Sequence, residues 1–420
     1  MNRADCAALD EADPLRAHRA AFALPEGVVY LDGNSLGALP RATGARVREV
    51  IEREWGEGLI RAWNSAHWID LPRCVGAKIA RLIGAGSDEV ICADSTSVNL
   101  FKVLATALRL QTSRSRGARR VILSERGNFP TDLYMAQGLA NLLGAGHALK
   151  LVEFDEVAAS VDEHTAVVML THVNFRTGAM HDMQGITARA HEAGALAVWD
   201  LAHSAGAVPV ALNSAAVDFA VGCGYKYLNG GPGAPAFVFA ATRHLSVLTE
   251  DPFAQPLSGW LGHRAPFAFD PGYAPAASID RYTVGTPSIL GLAALDAGVD
   301  TVLAAGMEAL RAKSTALTEL FIDRVEQRCA PQDIALVSPR ESSKRGSQVC
   351  LRHAHAFPVM QALIARGVIG DFRAPDILRF GFAPLYVRYV DVWDAAEALA
   401  EVLASGEWER PEFQPQGAVT

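Results

Sequence analysis

The sequence lacks three features that would place it in a specialised class: paired cysteines, a long basic run and a continuous apolar segment near its start. Its six cysteines are scattered without a CxxC pair, so we predict neither a disulfide framework nor a metal site. We expect them to be reduced, mostly buried thiols. The formal net charge of -8 argues against nucleic-acid binding, because a binder of the phosphate backbone needs a basic surface.

The first twenty residues also lack the apolar continuity of a signal peptide or membrane anchor. Acidic residues and a proline interrupt them at Asp5, Asp10, Glu11, Asp13 and Pro14. We therefore expect a cytoplasmic protein that does not associate with membranes.

What is present is the composition of a globular protein, with half of the residues hydrophobic and 20% charged. A chain of 420 residues exceeds what one hydrophobic core usually organises. The sequence therefore predicts a large domain with a smaller companion.

Short apolar runs alternate with helical patterns between residues 90 and 239, which is typical of an α/β domain with a mostly parallel sheet. The run Val167–Leu170 is apolar on both faces, as a strand covered by helices on both sides requires. Functional residues are then expected at the carboxyl ends of the strands. The seven predicted strands are residues 90–92, 121–123, 149–152, 166–173, 196–199, 219–223 and 236–239.

Beyond Pro287 the pattern changes to a second, α+β domain. A helical stretch over residues 289–328 precedes a loop, a strand, a helix, two strands and a final helix near residues 392–403. We predict an N-terminal segment (1–55) that packs with the small domain, a large domain (56–290) and a small C-terminal domain (291–420).

Two glycine motifs resemble known sites but fail on their context. Residues 33–37 (GNSLG) match the nucleophile elbow of serine hydrolases, yet too few residues precede them to build the strands that such an elbow needs. Residues 231–236 (GPGAPA) match a dinucleotide-binding loop but lead into a strand, whereas a pyrophosphate needs the start of a helix.

Three other features point to one cofactor. Asp200 ends an apolar strand, and a buried carboxylate needs a partner such as the protonated ring nitrogen of pyridoxal phosphate. Lys226 follows another apolar run, where a lowered pKa would favour an imine with an aldehyde. Thr96 and Ser97 start a predicted helix, where amides and hydroxyls bind phosphate. Taken singly, each also fits a structural role: an ion pair or cap, a surface lysine, and a helix N-cap.

Six blocks of sequence carry a resemblance that runs nearly end to end. The chain resembles the kynureninase family, within the fold type I (aspartate-aminotransferase-like) superfamily of pyridoxal-phosphate enzymes. That resemblance implies a large domain with a mostly parallel seven-stranded sheet and a smaller α+β C-terminal domain. The blocks are residues 30–37 (YLDGNSLG), 128–132 (NFPTD), 171–178 (THVNFRTG), 199–206 (WDLAHSAG), 224–233 (GYKYLNGGPG) and 281–287 (RYTVGTP).

The resemblance also implies the residues that hold pyridoxal 5'-phosphate. Lys226 would bind it covalently, Asp200 would pair with its ring nitrogen, and Phe129 would stack on its ring. Trp260 and Thr286 would come from the second subunit of a homodimer. The remaining cofactor-binding positions implied are Thr96, Ser97, Pro130, Thr131, Asp132, Thr171, His203 and Tyr225.

For the substrate, Arg379 matches the family arginine that binds the amino-acid carboxylate, which a guanidinium can do through two parallel hydrogen bonds. A strand arginine that faces water is the alternative. Ser35, Trp63 and Gly285 would border the substrate.

The implied reaction is the hydrolytic cleavage of the Cβ–Cγ bond of L-kynurenine, and of its 3-hydroxy form, to anthranilate or 3-hydroxyanthranilate and L-alanine. It belongs to tryptophan degradation and to NAD biosynthesis. Lys226 is expected to move the Cα proton, and Tyr225 is the candidate proton donor to Cβ. The alternatives are a cysteine desulfurase or an aminotransferase of the same superfamily, although Cys350 lies in an apolar run and is expected to be buried.

Overall fold

The structure, a computed structural model, describes residues 1–115, 117–330 and 332–414, including all their side chains except those of residues 249 and 250. The strands in this part of the chain are β1 Val29–Tyr30, β2 Val90–Cys92, β3 Val121–Glu125, β4 Ala148–Val152, β5 Thr165–Thr171, β6 Leu196–Asp200, β7 Phe219–Gly222, β8 Phe237–Ala240, β9 Ala335–Leu336, β10 Gln348–Arg352, β11 Val368–Ile369, β12 Asp371–Arg373 and β13 Ile377–Gly381.

The α-helices lie between these strands and at both ends of the described chain. They are α1 Arg3–Ala12, α2 Arg41–Glu49, α3 Ala62–Ser65, α4 Leu71–Ile83, α5 Thr96–Ser115, α6 Pro130–Leu143, α7 Met183–Glu192, α8 Thr242–Leu245, α9 Ile289–Ala305, α10 Met307–Arg328, α11 Ala356–Ala365 and α12 Tyr389–Ser405.

The large sheet has seven strands in the order β2-β8-β7-β6-β5-β3-β4. Its strands are parallel except β8, which runs antiparallel to both of its neighbours. The predicted mostly parallel seven-stranded sheet is therefore confirmed, and each strand forms at the apolar run that predicts it.

Strand β5 shows why these runs are apolar throughout. Val168 and Leu170 belong to a core on one face of the sheet, together with residues of α4 and α7. Val167 and Met169 belong to a second core on the other face, together with residues of α5 and α6. Because successive side chains of a strand point to opposite faces, a sheet covered on both sides has no polar face.

The carboxyl ends of the parallel strands bring polar residues to one edge of this sheet. Thr171, the last residue of β5, is the register partner of Asp200, the last residue of β6. Lys226 follows the end of β7, and Thr96 begins α5 directly after β2. This edge is where open α/β sheets form their binding crevice.

A four-stranded antiparallel sheet, in the order β12-β13-β10-β9, forms the centre of the C-terminal part. The helical stretch predicted over residues 289–328 is divided into α9 and α10, which are bent by 82°. The division lies at Gly306, which ends α9 with φ of 78°, a conformation that glycine adopts without steric cost. The final helix extends a few residues beyond its predicted bounds at both ends.

The N-terminal segment lies against this C-terminal part. Arg3 of α1 donates to Asp394 of α12 at 2.7 Å, and Asp10 accepts the first backbone amide of α12 at 2.7 Å. Strand β1 pairs in parallel with β11. The domain boundaries at residues 55 and 290 remain predictions, and residues 415–420 of the predicted small domain lie outside the described residues.

Within the described ranges, no single helix has both the length and the hydropathy needed to span a membrane. The bent pair α9 and α10 meets those criteria only when the two helices are taken together. Helices in the core of a globular protein meet the same criteria, and the apolar side chains of α9 and α10 are largely buried in the protein.

Candidate active site

A cavity of about 950 Å³ opens at the carboxyl edge of the large sheet. Pockets for small molecules and cofactors commonly have a volume of this order. Residues from the ends of several strands and from two loops share its wall. Those predicted to bind the cofactor or substrate are Thr96, Ser97, Phe129, Asp132, Thr171, Asp200, His203, Tyr225, Lys226, Gly285 and Thr286.

Lys226, which is predicted to bind the cofactor covalently, lines this cavity. Its Nζ lies 2.9 Å from Nε2 of His203. Burial lowers the pKa of Lys226, and the charge of Arg379 lowers it further. A smaller proton affinity raises the neutral fraction of the amine, which is the form that attacks a carbonyl carbon.

His203 is itself buried and neutral. Burial lowers its pKa well below the ordinary value, and the neighbouring Lys226 adds to that effect. A neutral imidazole can accept a hydrogen bond from the lysine through Nε2. Its Nδ1 is buried and has no hydrogen-bond partner among the described residues.

Asp200 and Asp132 form a buried carboxyl pair at the floor of the cavity. Asp200 accepts the backbone amide of Ala202 at 2.7 Å. Burial raises the pKa of both groups, and the charge and hydrogen bond of Asp200 raise that of Asp132 further. Two carboxylates in contact cannot both ionise at low cost, so Asp132 is a neutral acid beside Asp200. Thr171 donates to Asn128 at 2.5 Å and lies 3.3 Å from Asp132.

The start of α5 provides a site for an anion. The twenty residues of α5 begin at Thr96, and within the described chain the backbone amides of Thr96 and Ser97 meet no acceptor. Unpaired amides and the positive end of the helix dipole favour a phosphate at this position.

Phe129 lies in the wall of the cavity. It caps α6 and keeps 41% of its surface exposed, which is unusual for a phenylalanine unless it meets a ligand or a partner. The ring of Phe175 packs edge-on against it with centroids 5.2 Å apart. This contact holds an exposed aromatic face ready for stacking.

The glycines of the GNSLG motif are explained by close packing, of Gly37 against the Lys226 loop and of Gly33 against Tyr386. A Cβ on Gly37 would lie 2.4 Å from the carbonyl oxygen of Lys226, and a Cβ on Gly33 would lie 2.3 Å from the hydroxyl of Tyr386. Ser35 donates to Asp371 at 2.6 Å, so its hydroxyl lies in an ion-pair cluster. No histidine is bonded to it among the described residues, in agreement with the rejection of the serine-hydrolase hypothesis.

With the geometry described, comparison with known proteins identifies the family. The family model described as "Kynureninase C-terminal domain" matches residues 310–399. A protein named kynureninase from Burkholderia mallei (strain SAVP1) is 55% identical over 419 residues, which cover 100% of this chain and 99% of that protein. A kynureninase from Pseudomonas fluorescens matches with the same identity and coverage.

The chain belongs to the kynureninase family. Membership in this family makes it an enzyme. Among solved structures, a cysteine desulfurase from Thermococcus onnurineus NA1 superposes with a TM-score of 0.75 at 20% identity, covering 93% of this chain and 98% of its own. The cystine C-S lyase C-DES superposes with a TM-score of 0.73 at 17% identity over 90% of this chain and 98% of its own. These likenesses confirm the predicted fold, and at such low identity they show the fold alone.

The desulfurase alternative is further weakened by Cys350. The residue lies in the middle of β10 and is fully buried. Burial raises the pKa of its thiol to about 12, whereas a nucleophilic cysteine needs an accessible thiolate.

The remaining predicted site residues lie outside the cavity wall. Pro130 and Thr131 begin α6 beside Phe129. Trp63 packs edge-on against Trp68 in a small apolar cluster, and Trp260 packs edge-on against Phe267. Ser35 and Arg379 do not line the cavity. Arg379 is linked to it through Phe175, a residue of the cavity wall, whose carbonyl accepts from Arg379. Ser35 in turn accepts from Arg379.

Several residues of the site were not predicted from the sequence. Phe175 packs against Phe129. Lys102 of α5 is fully buried and donates to Asp94 and to the carbonyl of Tyr282. Asp371 and Arg373 surround Arg379. A lysine in the apolar pattern of α5 and an Asp-x-Arg strand beside Arg379 are visible in the sequence, but only their tertiary contacts give them a role.

Proposed function

We propose that this enzyme hydrolyses the Cβ–Cγ bond of L-kynurenine, and of 3-hydroxy-L-kynurenine, with pyridoxal 5'-phosphate as its cofactor. The products are anthranilate or 3-hydroxyanthranilate and L-alanine. The observation that carries the proposal is the meeting of Lys226, Asp200 and the start of α5 around one cavity, in a chain that shares 55% of its residues with proteins named kynureninase.

The residues present fit that cofactor. Asp200 is a buried carboxylate whose partners among the described residues are one backbone amide and the carboxyl group of Asp132. Such a group needs a cation, and a protonated ring nitrogen would supply it. Lys226 provides an amine with a lowered pKa, and Thr96 with Ser97 provides free amides and hydroxyls for the phosphate.

When bound, pyridoxal phosphate supplies two groups: an aldehyde that can react with an amine, and a protonated ring that withdraws electrons from the Cα of the amino acid joined to it. The protein supplies proton transfer and orientation. Lys226 removes and holds the Cα proton of the substrate, while the neutral imidazole of His203 orients its amine at 2.9 Å. Asp200 would hold the ring nitrogen in its protonated form, and Phe129 would stack on the ring.

The cleavage itself consumes one water molecule. The oxygen of this water becomes part of the aromatic carboxylate, and one proton is delivered to Cβ to complete L-alanine. We assign this proton donation to Tyr225, which lies in the cavity wall next to Lys226. Burial raises the pKa of Tyr225, so its hydroxyl remains protonated at neutral pH and available to donate.

The proposal includes a homodimer whose subunits share each site. Trp260 is 38% exposed and lies outside the cavity of its own chain, as expected if it contacts the cofactor of a second subunit. Thr286, unlike Trp260, lines the cavity of its own chain; its contribution to the site of the second subunit is part of the proposal by family resemblance alone. The cytoplasmic location and the role in tryptophan catabolism, the kynurenine pathway and NAD biosynthesis are part of this proposal and follow from the family.

The substrate carboxylate is proposed to bind at the arginine cluster around Arg379, behind Phe175. Ser35 belongs to this cluster, and Gly285 lines the cavity. Trp63 is proposed to border the substrate from the apolar cluster that it forms with Trp68.

The test is to load the purified protein with pyridoxal phosphate and add L-kynurenine. We expect anthranilate fluorescence and an equal amount of L-alanine, and we expect Lys226→Ala to abolish both. Lys344→Ala, which removes an exposed lysine paired with Glu341, is the control and should behave as the wild type. A protein that holds the cofactor on Lys226, as shown by borohydride trapping and mass spectrometry, yet releases no anthranilate would refute the proposal.

A further inference from the structure

Gln348, the first residue of β10, holds a loop of the cavity wall with its side chain. It is only 1% exposed, and its Nε2 donates to the carbonyl of Asn174 at 3.0 Å and to that of Phe175 at 3.1 Å. Phe175 lines the cavity and packs edge-on against Phe129. Because a carbonyl can only accept, these two bonds fix which end of the amide is the nitrogen. The amide oxygen, Oε1, is left for another partner.

The same loop is packed closely against Gln348, so this side chain has little freedom. Gly178 has a φ of 71°, and a Cβ at this position would lie 3.1 Å from Cγ of Gln348. The backbone amide of Gly346 donates to the carbonyl of Gly178 at 2.9 Å, and Ser338 donates to the carbonyl of Thr177 at 2.6 Å. The C-terminal part therefore holds Gln348 and the loop in one arrangement.

Oε1 of Gln348 and Nδ1 of His203 form a complementary pair of buried atoms. Neither atom has a close hydrogen bond among the described residues. Burial lowers the pKa of His203, and a hydrogen-bonding interaction with the Gln348 side chain opposes that lowering, so the two side chains are neighbours. An amide oxygen accepts, and a protonated Nδ1 donates. Since buried polar atoms in folded proteins are almost always paired, a bond between these two satisfies both.

This bond decides which nitrogen of His203 carries the proton. A neutral imidazole has one N–H, and the hydrogen bond made by one nitrogen sets the role of the other. With the proton on Nδ1, Nε2 is an acceptor for the amine of Lys226, from which it lies 2.9 Å. The lone pair of that amine then stays free to attack a carbonyl carbon or to take a proton. With the proton on Nε2, the imidazole would donate to that lone pair and block it, and Oε1 of Gln348 would remain unpaired.

We propose that Gln348 is a positioning residue for Lys226. Its Oε1 accepts the Nδ1–H of His203 and so keeps Nε2 as the acceptor of the lysine amine, while its own Nε2 holds the loop that carries Phe175. The catalytic consequence rests on the proposed function, in which Lys226 moves the Cα proton. Through Gln348 the small sheet acts both on Lys226 and on the aromatic contact that supports Phe129.

The first test locates the proton of His203 in the cofactor-free full-length protein. Labelling the histidines with the nitrogen-15 isotope distinguishes Nδ1–H from Nε2–H by NMR, and the signals of His203 are those absent from His203→Asn. In the wild type we expect the proton on Nδ1. In Gln348→Met, which keeps the length of the side chain but removes both polar atoms, we expect it to move at least in part to Nε2.

Gln348→Glu is the variant that should restore the Nδ1–H. Arg379 donates to the same carbonyl of Phe175 as Gln348 does, so its positive charge lies close to position 348 and favours an ionised carboxylate there. Such a carboxylate keeps an oxygen that accepts from His203 but loses the N–H groups that bond the loop. The two variants therefore separate the contact with His203 from the contact with the loop.

The second test measures the steady-state kinetics of the holoenzymes with L-kynurenine. Both Gln348 variants lose the bonds to the loop, so we expect both to raise KM alike, by up to about threefold. The kcat values should differ, because only Gln348→Met leaves His203 free to block the amine of Lys226. We expect kcat of Gln348→Met to fall by about tenfold or more, the scale for a misplaced catalytic group, and Gln348→Glu to recover most of that loss.

Gln111→Met is the matched control. Gln111 is also only 1% exposed, and its Nε2 donates to the carbonyl of Gly194 at 2.8 Å, but it does not line the cavity. The substitution therefore removes a buried glutamine with the same kind of bond from another part of the molecule. We expect it to leave the proton position of His203, kcat and KM as in the wild type, even if it lowers the Tm.

Three results would overturn the inference while leaving the proposed function intact. One is a wild-type protein with the proton of His203 on Nε2, a measurement that needs no Gln348 variant. Another is a Gln348→Met enzyme with the wild-type proton position and kcat, and the third is a Gln348→Glu enzyme as slow as Gln348→Met. If Gln348→Met does not fold, the proton position in the wild type and the kcat of Gln348→Glu against the wild type decide.

Failure of the proposed function gives a different result. A wild-type holoenzyme that holds the cofactor but does not cleave L-kynurenine would refute that function, and the catalytic role of Gln348 would fall with it. The proton position of His203 in the wild type and in Gln348→Met would still test the contact between Gln348 and His203.

Discussion

The carboxyl pair on the cavity floor yields a prediction that depends on one proton. Asp132 is only 2% exposed, and burial together with Asp200 raises its pKa well above the ordinary value. Asp132→Asn replaces a neutral acid by a neutral amide of nearly the same shape. The amide N–H of the asparagine can still donate to the carboxylate of Asp200, so the charge-assisted hydrogen bond between these two residues is kept. We therefore expect a cofactor affinity within about threefold of the wild type.

Asp132→Ala should behave differently, because it removes the donor. Asp200 and Thr171 would both lose a buried partner, and an unsatisfied buried polar group costs about 1–3 kcal/mol. If this cost falls on the holoenzyme, the dissociation constant of the cofactor rises by roughly five- to 150-fold. The contrast between the amide and the alanine therefore measures the hydrogen bond.

The pH dependence of stability has a definite sign. Above about pH 4 an unfolded chain releases the proton of Asp132, but the folded protein retains it up to its raised pKa. The contribution of this group to the free energy of unfolding is therefore complete at low pH and is lost as the pH rises through that window. Relative to the wild type, Asp132→Asn should become more stable with rising pH, by up to about 1.4 kcal/mol per pH unit.

The assay is urea unfolding of the cofactor-free proteins between pH 5 and pH 8, combined with fluorescence titration of pyridoxal phosphate. Asp182→Asn is the control, since Asp182 is an exposed N-cap of α7 and asparagine caps a helix equally well. An Asp132→Asn protein that binds the cofactor as weakly as Asp132→Ala would contradict a neutral Asp132. So would a stability difference that does not change with pH.

Three further substitutions test other parts of the site. Tyr225→Phe should retain the cofactor but release L-alanine at least tenfold more slowly, the usual scale for loss of general acid catalysis, as measured by stopped-flow assay; an unchanged rate would exclude Tyr225 as the proton donor. Gly37→Ala should alter the cofactor spectrum and lower the Tm, because its Cβ would meet backbone at 2.4 Å, whereas Gly44→Ala, with open space around it, should be neutral or slightly stabilising. Lys102→Met should destabilise the protein by about 1–3 kcal/mol in urea unfolding, because it leaves the buried carbonyl of Tyr282 without its donor and removes the partner of Asp94. Lys78→Met, at a partly exposed pair, should cost less than about 1 kcal/mol; equal losses would contradict this assignment.

The sheet could be predicted from the sequence because its signal is local. A strand buried on both faces needs a continuous apolar run, and each of the seven runs stands where a strand of the large sheet forms. The bend between α9 and α10 was missed, since Gly306 lies in a stretch that is helical on both sides, and its conformation depends on how the two helices pack.

The cofactor cavity could be predicted in the same way. Asp200, Lys226 and Thr96 each follow a strand that ends at the same edge of a parallel sheet, so their order along the chain implies their proximity. The glycines of the GNSLG motif were recognised as misleading from their position in the chain, but the reason for them is the close approach of Gly37 to the backbone of Lys226. Such an approach joins residues 189 positions apart and leaves no local pattern.

By itself, then, the sequence determined the α/β fold, the family and the proximity of Asp200, Lys226 and Thr96 around one cavity, because all of these depend on local patterns or on matched blocks. Only the tertiary structure decided the protonation and the pairing of the buried groups. Burial, and then the charge of the neighbouring Asp200, raises the pKa of Asp132 well above its ordinary value, and Arg379 is paired because folding places it against Asp371. Charges interact through space with an energy that depends on distance and burial, and neither quantity is written in the order of the residues.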